Sequence, residues 1–210
     1  MSMHIRVDDL QGTAIQQLLQ VHLDAMHSYS PPKSVHALDL EALRHPSITF
    51  WTAWEGDELM GCGALKKLSA VHAELKSMRT VEAHMRKGVA VAILRHIELA
   101  AIAMGIQRIS LETGMPAPFV AAQKLYAREG YVESGPFADY VLDPFSMFMT
   151  KVLSPATTLY LKIDAAQEPK QSSNQNEKLK QVIAMRGRLD IRDEWAALRE
   201  LDTSQNVKYE

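Results

Sequence analysis

The stretch that decides the fold is Met78-Arg79-Thr80-Val81-Glu82-Ala83-His84-Met85-Arg86-Lys87-Gly88-Val89-Ala90-Val91-Ala92-Ile93-Leu94-Arg95-His96-Ile97-Glu98. Its second half places Val89, Ile93, Ile97 and then Ala101 on one face at helical spacing, which predicts a helix over 89–104, with Gly105 suited to end it in a left-handed conformation. Directly before the helix stand Arg86, Lys87, Gly88, Val89 and Ala90. A helix start leaves up to about four backbone N–H groups unpaired and carries roughly half a positive charge. Gly88 and Ala90 lack bulk, so a phosphate can approach that backbone while Arg86 and Lys87 add charge-assisted contacts. These residues alone leave two readings open, a pyrophosphate site and a basic turn before a core helix. The loop has neither the GKS or GKT of a Walker sequence nor the GxGxxG of a dinucleotide fold.

Working outward, the chain reads as alternating short elements. A strand is expected over 4–7 and a helix over 11–26, where Ile15, Leu18, Leu19 and His22 or Leu23 recur at helical spacing. Ser30-Pro31-Pro32 stops that helix, because proline lacks an N–H and disfavours helix in the residue before it. One or two helical turns over 38–44 precede strands over 48–54, 59–66 and 71–81, the first two joined by Glu55-Gly56-Asp57-Glu58 as a hairpin turn. After the long helix come a strand over 107–112, a helix over 117–128 and a strand over 147–153. Strands that later alternate with helices predict an α/β fold, a mixed central sheet flanked by helices.

Composition narrows the class. The 210 residues are 47% hydrophobic, and Lys+Arg 23 against Asp+Glu 25 gives a net charge of -2, which argues against nucleic acid as a partner. The single cysteine, Cys62, excludes an internal disulfide framework, and the eight histidines form no HExxH, so no metal is expected. The N-terminus lacks a basic region followed by an apolar signal core, and no run approaches the roughly 20 apolar residues that span a bilayer, so no membrane partner and a cytoplasmic location are expected.

The joint order of these pieces resembles the GNAT superfamily of acetyl-coenzyme A-dependent N-acetyltransferases. Glu74-Leu75-Lys76-Ser77-Met78-Arg79-Thr80 runs into the loop, and Ile109-Ser110-Leu111-Glu112-Thr113-Gly114, Leu125-Tyr126 and Gly130-Tyr131 follow the helix. The resemblance covers about residues 3–153 and is nearest to a YsnE-like branch. It is carried there by the segment from Ser30 to Asp39, by Gly61-Cys62-Gly63-Ala64-Leu65-Lys66 and by Gly135-Pro136-Phe137-Ala138-Asp139-Tyr140. The first position of the family's loop motif, usually Arg or Gln, falls on Met85, with Arg86 next to it; the asparagine common on the late helix falls near Phe119.

The resemblance implies a GNAT fold, acetyl-coenzyme A as cosubstrate and transfer of acetyl to a primary amine, a small molecule or amino-acid-like acceptor, by direct attack in a ternary complex. It implies coenzyme contacts from Met78, Arg79 and Thr80 through the backbone and from Arg86, Lys87, Gly88, Val89 and Ala90 in the loop. The strand holding Met78 should splay from the strand over 107–112 to open a slot for the pantetheine arm. Glu74 is the first candidate for the general base, acting through water, with an ion pair to Lys76 as the alternative and Glu112 as the fallback base. Tyr126 is the candidate general acid for the leaving thiolate. Lys33, His36 and Glu112 are the candidate acceptor-binding residues. Cys62, between two glycines, reads as core filler and not a nucleophile.

Past residue 153 the composition changes. Residues 154–176 read as a strand-like segment and polar linker, and 177–210 as a helical extension in which Asp190 caps a helix with Ile191, Trp195 and Leu198 on one face. That stripe is expected to dock on residues 1–153 or to form a homodimer contact. Rival functions are a protein or aminoacyl-tRNA acetyltransferase, and a non-catalytic coenzyme A-binding regulator with a partner-binding tail.

Overall fold

Continuous buried runs within Ile48–Glu55 and Glu58–Lys67 mark a sheet covered on both faces. The computed structural model describes residues 3–154, and the expectations for 155–210 lie outside the described residues. Strand β1 (Met3–Val7) leads to helix α1 (Thr13–Tyr29), a 3-10 turn at Pro32–Ser34 and the short helix α2 (Leu40–Leu43). Three strands follow, β2 (Ile48–Glu55), β3 (Glu58–Lys67) and β4 (His72–Thr80), then helix α3 (Val89–Ala103), β5 (Arg108–Gly114), α4 (Val120–Arg128), β6 (Val132–Ser134) and β7 (Ser146–Val152). The seven-stranded sheet has the order β1-β2-β3-β4-β5-β7-β6. Among the described residues only β4 and β5 pair in parallel; the remaining neighbours are antiparallel.

Most expected elements are present, with three differences. Helix α1 runs three residues past the expected end and stops at Tyr29, because Ser30, which precedes Pro31, is driven to an extended backbone. The expected helix over 117–128 begins as a 3-10 turn at Ala117–Phe119, flanked by Pro116 and containing Pro118, and becomes α-helical only at Val120. The sheet has one more strand than the sequence suggested. The three residues of β6 form it, too short and too exposed to carry an alternating apolar signal.

The two faces of the sheet bury different helices. Val89, Ile93, Leu94, Ile97 and Ala101 of α3 pack on Trp51, Leu65, Leu75, Ile109 and Leu111. On the other face Ile15 and Leu19 of α1 and Leu43 of α2 pack on Phe50, Cys62 and Ala64. A side chain added at Gly61 would meet the Arg79 carbonyl at 2.7 Å, and one at Gly63 would meet the Met78 sulfur at 2.6 Å. These two glycines therefore let β4 and α3 close on β3.

Two irregularities in β4 shape the sheet beyond Leu75. First, its register against β3 shifts so that Cys62 opposes Arg79 while Ala64 opposes Lys76. The extra residue sits at Ser77, whose φ is +54°, and its carbonyl accepts the Cys62 thiol at 3.4 Å. Second, β4 pairs with β5 only from His72 and Arg108 to Leu75 and Leu111. Both strands continue past that point without pairing to each other.

Candidate active site

Where β4 and β5 part, a cavity of about 200 Å³ opens. Met78 and Arg79 of β4 line it, with Glu112 from β5, Tyr126 from α4, His22 from α1 and His36 from the segment before α2. Five of the residues expected at a site thus face one cavity: Met78, Arg79, Glu112, Tyr126 and His36.

Glu112 and Tyr126 differ in what holds their protons. Burial raises the Glu112 carboxyl above the usual carboxylate range, and the nearby Lys76 charge only partly offsets it. Tyr126 is buried, and its phenol is pushed up by that burial and then by the charge of Glu112. It therefore stays protonated across the neutral range.

Glu74 has a different setting. It is 2% exposed, and its Oε1 accepts the Lys76 ammonium at 2.9 Å and the Tyr140 hydroxyl at 2.6 Å. Lys76 Nζ also donates to the Tyr140 oxygen at 2.9 Å. The side chains of Glu74 and Lys76 share a face of β4, as the two-residue spacing requires. Tyr140 arrives from the 135–145 loop, packed among Phe137, Phe148 and His36 with ring centroids 5.0, 5.5 and 4.9 Å away. Glu74 is not among the residues lining the cavity.

The basic loop lies outside that cavity, at the start of α3. Arg86 and Gly88 both take positive φ, +61° and +83°, which turns the chain so that α3 begins without a side-chain cap. Arg86, Lys87 and Gly88 are exposed, and open space surrounds the position where a Gly88 side chain would lie. Val89 turns its side chain into the core and leaves only its backbone to the loop, and Ala90 is half-buried. The residues fit a phosphate-bearing group: unpaired helix N–H groups, two cations and a glycine-opened backbone. Thr80 ends β4 before this loop.

Lys33 is exposed on the 3-10 turn and does not line the cavity. Sequence reasoning missed His22 as a site residue, although it falls on the apolar-periodic face of α1. It also missed Tyr140 as the partner of Glu74. Cys62 is buried, and that burial pushes its thiol up to about 12. Among the described residues no group of His, Cys, Asp and Glu is arranged to hold a metal ion, and no helix is long and apolar enough to cross a membrane.

Comparison with known proteins assigns this architecture. The model of the acetyltransferase (GNAT) family matches residues 15–131. The chain is 56% identical over 151 residues to the uncharacterized N-acetyltransferase YsnE of Bacillus subtilis (strain 168), covering 72% of this chain and 100% of that protein. It is 50% identical over 149 residues to the uncharacterized N-acetyltransferase YedL of Escherichia coli (strain K12), covering 71% of this chain and 94% of that one. Among solved structures, the PaiA N-acetyltransferase of Thermoplasma acidophilum in complex with coenzyme A shares the fold, with a TM-score of 0.58 and 17% identity over 72% of this chain and 99% of that chain. The family match takes in β2 to β5, the basic loop and α4: the chain belongs to the GNAT family of N-acetyltransferases, which use acetyl-coenzyme A.

Proposed function

We propose that the chain moves acetyl from acetyl-coenzyme A directly to the primary amine of a small-molecule acceptor, with Glu112 as general base and Tyr126 as general acid. The observation that carries this reading is that Glu112 and Tyr126 line the same cavity at the point where β4 and β5 part. Acetyl-coenzyme A supplies the activated acyl thioester when bound. Arg86 and Lys87, with the backbone N–H groups of Gly88, Val89 and Ala90, hold its pyrophosphate. The unpaired edge of β4 at Met78, Arg79 and Thr80 offers backbone groups to the pantetheine arm.

Glu112 takes a proton from the acceptor ammonium at its carboxylate oxygen, a task that its raised pKa suits near neutral pH. Tyr126 gives its phenolic proton at the departing sulfur. Glu74, the first candidate on sequence grounds, fits a positioning role better, because Lys76 and Tyr140 both hold its Oε1 and it does not line the cavity. Direct transfer is favoured over an acyl-cysteine, since Cys62 is buried, hydrogen-bonded to the Ser77 carbonyl and the chain's one cysteine.

The test is an amine panel with acetyl-coenzyme A, products read by mass, run on wild type, Glu112→Gln and Tyr126→Phe. Turnover of at least one small amine, lost by about 10²-fold or more in Glu112→Gln with coenzyme binding intact, supports the reading. Wild-type turnover in Glu112→Gln returns the base to Glu74.

A further inference from the structure

The bulge at Ser77 decides which side of the sheet Arg79 serves. Side chains alternate along a strand, so Leu75 and an unbulged Arg79 would share the α3 face. The extra residue reverses the alternation: Met78 packs with the α3 core, and the Arg79 guanidinium goes to the α1 face, where its charge acts on His22 and Cys62.

There one nitrogen of the guanidinium is left unsatisfied. Arg79 Nε is buried without a hydrogen-bond partner, and so is Nδ1 of His22. No carboxylate among the described residues forms an ion pair with Arg79. Lys76, the other cation at the cavity, is already held by Glu74 and Tyr140. Buried polar groups left unpaired are costly, and most are paired with protein, water or ligand. Met26, Tyr29 and Phe119 give the same cavity an apolar part of its lining, the two rings meeting edge-on at 6.0 Å.

Resting on the acceptor site proposed above, we infer that the acceptor amine also carries a carboxylate, bound by the side chains of Arg79 and His22, with an apolar body against Met26, Tyr29 and Phe119. The acceptor is thus an amino acid or a close analogue. A carboxylate presents two oxygens in a plane, which matches one edge of a guanidinium. Burial and the Arg79 charge lower His22 to about 4, so His22 is neutral at pH 7 and the site holds one positive charge. One charge balances a carboxylate but not a dianionic phosphate. Glu112 supplies the opposite charge for the ammonium end.

The test uses two reaction products that differ only in the carboxylate: N-acetyl-L-phenylalanine and N-acetylphenethylamine. Each is titrated by calorimetry into the full-length protein saturated with coenzyme A. The acid should bind about 30-fold more tightly or better. Arg79→Gln should bring the two affinities together, and Arg79→Lys, which restores the charge, should keep a preference of several-fold. Equal affinities in wild type, undetectable binding of both products included, overturn the inference. So does a preference that survives Arg79→Gln. Product binding needs no turnover. A carboxylate preference alongside wild-type turnover in Glu112→Gln would therefore remove the proposed base and leave this site standing.

Discussion

The hydroxyl of Tyr140 donates a 2.6 Å hydrogen bond to Oε1 of Glu74, joining the loop before β7 to the first half of β4 across 66 positions of sequence. The same carboxylate holds Lys76 at 2.9 Å, so one buried anion fastens both a loop and a neighbouring cation.

Removing one partner should cost less than removing the other. Tyr140→Phe keeps the ring packing and deletes one charge-assisted bond, for a loss of about 1.5–3 kcal/mol. Lys76→Met leaves Glu74 buried without its counter-charge and should cost about 3–5 kcal/mol. Urea denaturation of both variants checks the order; a larger loss in Tyr140→Phe would show that the loop, not the ion pair, depends most on Glu74.

Glu112 should set the acid limb of activity. The base works deprotonated, so kcat/KM should fall as pH drops through a value above the usual carboxylate range, the direction in which burial moves Glu112. In Glu112→Gln that limb should vanish along with most of the rate. A pH profile whose limb is unmoved in the variant assigns it to another group.

Coenzyme binding should be lost at the loop. Lys87→Glu puts a negative charge beside the pyrophosphate and should weaken affinity by more than about tenfold, or about 1.4 kcal/mol. Gly88→Val should also weaken it, because a β-branched residue is strained at a φ of +83°. Unchanged calorimetric affinity in both folded variants would remove the site.

His22 should make the fold sensitive to acid. Its folded value, about 4, lies below the ordinary 6.5, so its contribution is present above 6.5 and is lost as pH falls toward 4. The difference corresponds to about 3 kcal/mol. The raised carboxyls of Glu98 and Glu112 act in the opposite direction, so the informative quantity is the difference between wild type and His22→Gln. Chemical denaturation at pH 7 and pH 4.5 should show a smaller acid loss in the variant.

How much of this was legible depends on whether the cause was local. The hairpin turn at Gly56, the helix from Val89 and the stop at Ser30 are set by neighbouring residues, and they read directly from sequence. The pairing of Glu74 with Lys76 follows from two-residue alternation. Nothing local announces the bulge at Ser77, a serine at positive φ held by a thiol from β3, and every face assignment beyond it depends on that one residue. The hold of Tyr140 on Glu74 was equally hidden, because the tertiary fold alone brings those side chains together. β6 was missed because its pairing with β7, not its own pattern, makes it a strand.

The brevity of the β4–β5 seam has a consequence for motion. Four residue pairs join the four-stranded meander to the three strands beyond it. Few pairs hold this internal seam, and amides on the open edge past Leu75 have no partner across it. They should exchange with solvent far faster than those turned toward β3. A ligand lying in the opening would supply the missing rungs, so coenzyme bound there as proposed would stiffen the sheet along this seam.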